Sequence, residues 1–296
     1  MTTWRTVVRY VRAPHVATML AALALVLAGT AAPQDGAGAS GARGTVDVLY
    51  AGSLLELMQN QIAPAFHRRT GYTVVGFPNG SMALAAEIKG GTEVADVFVS
   101  AAPSVNRELE GAANGDWVSS YRILGRSPLV LGYNPSSPFA PALRSSPWYD
   151  VVDRPGFLLG RTDPAVDPKG VLAVTALRDV ARRYHRPRIA TLATSTKNVF
   201  TETSLVGELD AGQLDAGFFY AVEASAAHLR TVALVGTHLA GIFTVALVNR
   251  APHPAAARAF IAFLLGADGR RLLRRHGVLP AVSTPRTTRV PLLAPS

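Results

Sequence analysis

The chain has 296 residues and a formal net charge of +9, with 49% hydrophobic and 17% charged residues. High hydrophobicity combined with low charge excludes intrinsic disorder, and the length suits about two domains. The chain has no cysteine, which excludes disulfides, zinc–thiolate sites, iron–sulfur clusters and cysteine nucleophiles. The arginine excess near the carboxyl end indicates a basic surface, and no nucleic-acid recognition motif accompanies it. We therefore expect no nucleic-acid partner.

The amino-terminal 32 residues have the pattern of an export signal. Arg5, Arg9 and Arg12 precede an apolar stretch at residues 16–28, and small residues follow it. The apolar stretch is shorter than the ~20 residues that a spanning helix prefers. We predict that residues 1–32 are a cleaved signal peptide, with a retained anchor as the alternative, and that the protein is periplasmic or extracellular.

Residues 33–43 are rich in Gly, Ala and Ser and predict a flexible lead-in. Strands are then predicted at residues 45–50, 72–77 and 95–100, with helices after the first two. Strands that alternate with helices predict an α/β fold with parallel strands. In such folds ligands bind at the carboxyl ends of the strands.

Two serines stand where these predicted helices begin. Ser53 and Glu56 have the spacing of a capping box, and Ser81 is in the position of a cap for the second helix. Pro64 predicts that the first helix is kinked or shortened.

The second half continues the alternation. Strands are predicted at residues 129–133, 157–160, 215–220 and 242–249, and a loop at 134–148. Helices are predicted at 171–184, 202–211, 255–265 and 268–276.

Several polar groups fall at strand or helix ends. Ser53, Ser81 and the turn at residues 167–170 each present amide N–H groups at a helix start, which suits an anion. Tyr220, at the end of a predicted strand, adds a phenolic donor. Each group also has a purely structural interpretation, the serines as caps and the tyrosine as a packed aromatic.

Residues 45–282 resemble a known family in the order and spacing of several motifs. The motifs are AGSL (51–54), NGSMALAAEI (79–88), ADVFVSA (95–101), DPAVDPKG (163–170), ETSLVGELDAGQLDAGFFYAVEA (202–224) and HPAAARAFIAFLLGADGRRLLRRHGVLP (253–280). The chain is similar to type II periplasmic solute-binding proteins of ABC importers, in particular the molybdate/tungstate-binding family. The resemblance implies two α/β lobes with a ligand cleft between them. Lobe one would comprise residues 44–126 and 249–296, and lobe two residues 127–248.

The resemblance also implies a ligand site. Relatives hold the oxyanion with two serine hydroxyls, backbone amides and a tyrosine, and the matching positions are Ser53, Ser81, Val166, Asp167 and Tyr220. A further backbone contact is expected near residues 127–129.

Archaeal-type tungstate binders add two carboxylates to the metal. Asp167 matches one of them, but Phe219 stands where the second aligns. This favours a tetrahedral anion held by hydrogen bonds. Glu223 is interpreted as a helix-start residue, and a carboxylate of Asp167 or Glu223 near the anion would argue against molybdate and for hydrogen phosphate.

The resemblance implies a protein that captures molybdate or tungstate and delivers it to an ABC permease. We expect a monomer without cofactor or metal site. Alternatives are a binding protein for sulfate, phosphate, ferric iron or a small organic acid, a ligand sensor, and a hydrolase. The sequence has no G-x-S-x-G motif, and its histidines lie in no catalytic motif. We therefore expect no enzymatic activity.

Overall fold

The computed structural model describes residues 43–280. The predicted signal peptide, nearly all of the predicted lead-in and the residues after Pro280 lie outside this range. Within residues 43–280, no helix is both long enough and apolar enough to cross a membrane.

Nine strands form one sheet in this part of the chain. They are β1 (Gly44–Ala51), β2 (Tyr72–Asn79), β3 (Val97–Ser100), β4 (Val118–Tyr133), β5 (Leu159–Thr162), β6 (Val199–Phe200), β7 (Ala216–Tyr220), β8 (Arg230–Ala233) and β9 (Ala240–Val248). Their order is β2-β1-β3-β9-β4-β7-β5-β6, with β8 beside β4. β1 pairs in parallel with β2 and β3, as the β/α alternation predicts.

The long strand β4 connects two parts of the sheet. Its residues 118–128 pair antiparallel with β9, and residues 129–133 pair antiparallel with β7 and β8. On its other edge β9 pairs with β3. β9 thus forms its hydrogen bonds within the part of the sheet that contains β1 to β3, although the predicted lobe two of residues 127–248 includes it.

Twelve α-helical segments flank the sheet. They are α1 (Leu55–Leu57), α2 (Ala63–Thr70), α3 (Ser81–Gly90), α4 (Pro103–Arg107), α5 (Ala140–Ser145), α6 (Trp148–Val152), α7 (Pro168–Arg183), α8 (Pro187–Thr194), α9 (Leu205–Asp210), α10 (Ala221–Ala226), α11 (Pro254–Leu265) and α12 (Ala267–Arg275).

The first helical segment is irregular. A 3₁₀ turn over Gly52–Leu54 precedes α1, and a π turn over Met58–Ile62 separates α1 from α2. Pro64 is the second residue after the π turn and has no amide proton for the helical hydrogen-bond ladder. The irregularity predicted for this helix therefore takes the form of a widened turn, after which the helix continues.

The carboxyl-terminal helix α11 packs against β1, β9 and α2. Phe66 of α2 makes edge-on ring contacts with Phe260 and Phe263 of α11, at centroid distances of 5.0 and 5.7 Å. Such aromatic pairs add about 0.5–1.5 kcal/mol beyond their buried area. Helix α11 is thus fixed to β1 and α2, which positions the loop at the carboxyl end of β1.

Candidate functional site

The carboxyl ends of β1 and β2 lie side by side. Ala51 and Asn79 are partners in the parallel register, and Ser53 and Ser81 each follow two residues later. Ser53 is 2% exposed and Ser81 is fully buried. The structure therefore brings both predicted serines to one edge of the sheet, as the fold class requires.

Neither serine caps a helix, so this part of the sequence prediction is wrong. The N-cap of the 3₁₀ turn is Ala51, and the N-cap of α3 is Gly80. Glu56 accepts from Asn60 instead of completing a capping box. Distant acceptors satisfy the amides at both helix starts, so no local cap is needed.

The acceptor at the start of α3 is a backbone carbonyl. Val166 O accepts from Met82 N and Ala83 N at 3.1 and 3.2 Å. A Cβ atom on Gly80 would lie 2.4 Å from the same oxygen, so the approach needs glycine. Ser81 Oγ accepts from Ala101 N at 3.0 Å, which leaves its hydroxyl proton available to a ligand.

Asp167 is the N-cap of α7. Its Oδ1 accepts from Lys169 N at 3.0 Å. The amides of Val166 and Asp167, the predicted backbone donors, both point to the carbonyl of Asp163 at 3.3 and 3.0 Å. In this structure the predicted turn thus offers acceptors, namely the Val166 carbonyl and the Asp167 carboxylate.

Tyr220 ends β7 and is completely buried. Its ring lies edge-on to Phe243, with centroids 5.5 Å apart. Leu129 is its partner in β4, and the Leu129 amide donates to Leu239 O at 2.9 Å. This amide of the predicted contact region at residues 127–129 is therefore used within the fold.

A buried ammonium lies next to these residues. Lys169 is fully buried, and its Nζ donates to both carboxylate oxygens of Glu223 at 2.8 and 2.7 Å. Glu223 is the third residue of α10 and also accepts from Tyr220 N at 3.3 Å. The predicted helix-start role of Glu223 is present, and a buried ion pair accompanies it.

Glu202 is the second carboxylate near this ammonium. Its Oε2 accepts from Gly52 N at 2.9 Å, and its Oε1 lies 3.6 Å from Lys169 Nζ. The side chain of Glu202 is completely buried. The Glu202 carboxylate thus accepts the hydrogen bond of the Gly52 amide, which begins the first helical segment. Amides at helix starts favour anions.

Several buried side-chain atoms in this region have no hydrogen-bond partner among residues 43–280. They are Ser53 Oγ, Thr162 Oγ1, Asp167 Oδ2, Glu202 Oε1 and Tyr220 Oη. The Thr162 hydroxyl lies beside Asp167, and the Ser53 hydroxyl beside Glu202. Buried polar atoms are normally satisfied, so a group of unsatisfied ones indicates a place for a ligand.

Burial and mutual repulsion shift the acid–base properties of these groups. Burial raises the pKa of Asp167 and of Glu223, and the neighbouring Lys169 acts against this shift in both. Burial and the charge of Asp167 raise the pKa of Glu202 to about 8. Burial alone lowers the pKa of Lys169, but the surrounding carboxylates outweigh it and raise that pKa. Burial also raises the pKa of the Tyr220 phenol well above its usual value.

A cavity of about 300 Å³ opens beside this group. Gly52, Ser53, Glu202 and Glu223 line it, together with residues of α9. The volume is close to the lower end of small-ligand sites. The cavity brings a predicted residue, Ser53, together with two acidic residues that the sequence prediction did not assign to the ligand.

A second acidic cluster lies elsewhere in the fold. Among residues 43–280, Asp47, Asp96 and His253 place ligand atoms within 4.8 Å of one another. Asp96 accepts from the amides of Asp47 and His253 at 2.8 and 2.6 Å. These bonds join β1 to the start of α11, so the cluster has a structural role.

Sequence reasoning missed Lys169 and Glu202. Lys169 lies in the DPKG turn, and Glu202 was assigned to a helix start, whereas α9 begins only at Leu205. Lys169 and Glu223 are 54 residues apart in the chain, and Gly52 and Glu202 are 150 apart. No local spacing indicates such pairs, since only the fold brings them together.

Comparisons with known proteins agree with this architecture. The family model for bacterial extracellular solute-binding proteins matches residues 46–279. An uncharacterised solute-binding protein of Halobacterium salinarum is 30% identical over 61% of the chain and 59% of its own length. A putative ABC transporter molybdenum-binding protein of Haloferax volcanii is 28% identical over 60% of the chain and 55% of its own length. The chain thus spans little more than half the length of these relatives.

Solved structures show the same fold. The periplasmic molybdate-binding protein of Azotobacter vinelandii has a TM-score of 0.62 at 17% identity, covering 79% of this chain and 99% of that one. The sulfate-binding protein SubI of Mycobacterium tuberculosis has a TM-score of 0.63 at 18% identity, covering 81% and 88%. The chain belongs to the bacterial extracellular solute-binding protein family, and its α/β fold is that of the two-lobe type II periplasmic binding proteins.

Proposed function

We propose that this chain captures a tetrahedral oxyanion, molybdate or tungstate, outside the cytoplasm and delivers it to an ABC permease. The observation that carries the proposal is the group of unsatisfied buried oxygens, which includes the hydroxyls of Ser53, Thr162 and Tyr220. Hydroxyl donors aimed at an enclosed anion form short, strong, charge-assisted hydrogen bonds. The likeness to proteins named for molybdenum or molybdate supports the choice of ligand.

The predicted residues have distinct parts in this proposal. Ser53, Ser81 and Tyr220 donate hydroxyl protons to the anion. Val166 and Asp167 belong to the loop that meets α3. On ligand entry the amides of Met82 and Ala83 stop donating to Val166 O and donate to the anion instead. Lobe one and lobe two close over the ligand and present a joint surface to the permease.

A second candidate ligand is an oxyanion that carries a proton, such as hydrogen phosphate. The observation in its favour is the unsatisfied Asp167 Oδ2, which is an acceptor when the carboxyl is ionised. Sulfate is a third candidate, on the likeness to a sulfate-binding protein. In all three cases the function is binding without chemical conversion.

A thermal-shift panel with molybdate, tungstate, sulfate and phosphate tests the proposal. A ligand at 100 times its Kd adds about 2.7 kcal/mol to stability. Molybdate and tungstate are expected to raise the Tm more than sulfate and phosphate do. A larger rise with phosphate supports the second candidate, and no rise with any of the four contradicts oxyanion binding.

A further inference from the structure

We propose that Glu202 is itself a ligand-binding residue and holds the oxyanion through a proton carried on its Oε1. The inference rests on the proposed oxyanion function and adds to it a residue and a proton. A protonated carboxyl is a hydrogen-bond donor, so Glu202 joins the hydroxyl donors of the site.

The two carboxyl oxygens of Glu202 have different surroundings. Oε2 accepts from Gly52 N at 2.9 Å, which suits an unprotonated carboxyl oxygen. Oε1 is buried without a hydrogen-bond partner among residues 43–280, and the Ser53 hydroxyl lies beside the Glu202 carboxyl. Glu202 and Ser53 line the same cavity, so a proton on Oε1 is placed to reach a ligand there.

Charge balance indicates where the proton is held. Three buried carboxylates, those of Asp167, Glu202 and Glu223, surround one buried ammonium, that of Lys169. Lys169 Nζ donates to both oxygens of Glu223 but lies 3.6 Å from Glu202 Oε1, beyond hydrogen-bond distance. Buried charges without a partner are costly and tend to be neutralised by protonation. Of the two carboxylates that pair with Lys169 Nζ, Glu202 is therefore the one that gains more from a proton.

The neighbouring carboxylates of Asp167 and Glu223 also favour a proton on Glu202, whereas Lys169 opposes it. Burial and the Asp167 charge raise the pKa of Glu202 to about 8, and Lys169 only partly offsets this. A bound dianion adds negative charge and raises that pKa further. The groups that interact with Glu202 are Asp167 and Lys169 at the start of α7, Glu223 of α10, Tyr220 of β7 and Ser53. Glu56 of the first helical segment and Asp210 of α9 line the same cavity.

Calorimetric titration of the purified protein with molybdate tests the inference. Titrations at about pH 6.5, 8 and 9.5, in buffers of different ionisation enthalpy, count the protons taken up on binding. Molybdate carries no proton in this range, so any uptake belongs to the protein. We expect the Kd to be constant below about pH 7 and to rise up to tenfold per pH unit above about pH 8, with uptake approaching one proton.

Glu202→Gln supplies a permanent N–H donor and keeps an acceptor for Gly52. This variant is expected to bind molybdate without proton uptake and, at about pH 9.5, roughly tenfold more tightly than wild type. Glu56→Gln, in the same cavity, is the matched control and is expected to keep the wild-type pH dependence.

The outcomes distinguish a failure of the proposed role of Glu202 from a failure of the proposed oxyanion binding. Binding that is independent of pH and without proton uptake overturns the role of Glu202 and leaves the oxyanion function standing. The same holds if Glu202→Gln keeps the wild-type proton uptake. If wild type binds no molybdate at any pH, the proposed ligand is wrong and the inference fails with it.

Discussion

Ser53 and Ser81 occupy equivalent places in the sequence but have different surroundings. Ser53 Oγ has no partner among residues 43–280, whereas Ser81 Oγ accepts the amide of Ala101. Ser53→Ala is therefore expected to leave the free energy of unfolding unchanged or slightly higher. Ser81→Ala leaves a buried amide unpaired and is expected to cost about 1–3 kcal/mol. Urea denaturation of both variants measures the difference.

The same two variants are expected to weaken oxyanion binding. Loss of one hydrogen bond to a charged group costs about 1.5–3 kcal/mol, or roughly ten- to hundredfold in Kd. Calorimetric titration measures the change, and Ser204→Ala, at the half-buried N-cap position of α9, is a serine control outside the proposed ligand contacts. Wild-type affinity in both variants would show that neither serine touches the ligand.

Lys169 is expected to be a structural residue of the site. Lys169→Met removes the only positive charge in its buried group and leaves Glu223 without its donor. Breaking a buried ion pair on one side typically costs about 3–5 kcal/mol. Thermal denaturation measures the loss, and Lys169→Met combined with Glu223→Leu should recover a large part of it. A single variant as stable as wild type would contradict the ion-pair assignment.

Whether the role of a single residue could be predicted depended on how far away its partner lies in the sequence. The serines and Tyr220 were predictable because strand ends and helix starts are local signals. Glu202 and Lys169 were not, because their partners lie far away in the chain. The capping roles were wrong for the same reason, since Glu202 and Val166 satisfy helix starts that the local sequence assigns to serines.

Among the elements, the start of α3 and the loop before α7 are in direct backbone contact. An alanine at Gly80 would place its Cβ 2.4 Å from Val166 O. Gly80→Ala is therefore expected to separate the two elements and to lower stability, in spite of the higher helix propensity of alanine. Chemical denaturation of the variant measures the effect.

Gly207 in α9 is the matched control for Gly80. No atom lies within 4 Å of a Cβ placed there, and its φ is not positive. Gly207→Ala is expected to stabilise the protein by about 0.5–1 kcal/mol. Equal changes in the free energy of unfolding at the two glycines would show that the close approach of Gly80 to Val166 O does not constrain residue 80.

Element prediction succeeded where the hydrophobic pattern was strong. The core strands β1, β3 and β7 and the helices α7 and α11 lie within a few residues of their predicted positions. β4 was predicted only from residue 129, because its first half is rich in exposed polar residues and becomes a strand by pairing with β9. The loop predicted at residues 134–148 contains α5, whose six residues are too few for a periodic signal.

For the molecule as a whole, the buried carboxyls predict how stability depends on pH. Glu202 has a folded pKa of about 8 against an ordinary value of 4.5. Between these values the folded state holds more protons than the unfolded state, so the free energy of unfolding falls as pH rises. Asp167 and Glu223, whose pKa values are also raised, act in the same direction.

Denaturation at about pH 5, 6.5 and 8 in the absence of ligand measures this dependence. Glu202→Gln is expected to reduce the slope, and the difference between the two proteins isolates the contribution of Glu202. His276, whose pKa burial lowers, gives an opposite slope below its ordinary value of 6.5, but it is common to both proteins. Identical slopes would contradict a buried, proton-holding Glu202.

A crystal structure with bound tungstate would show directly where the anion binds, because the anomalous scattering of tungsten locates it. We expect one tungstate whose oxygens lie within hydrogen-bonding distance of the Ser53 and Tyr220 hydroxyls and of Glu202 Oε1. We also expect that the amides of Met82 and Ala83 no longer donate to Val166 O. A tungsten position away from these residues, or no bound tungsten at saturating concentration, would contradict an oxyanion site at Ser53, Tyr220 and Glu202.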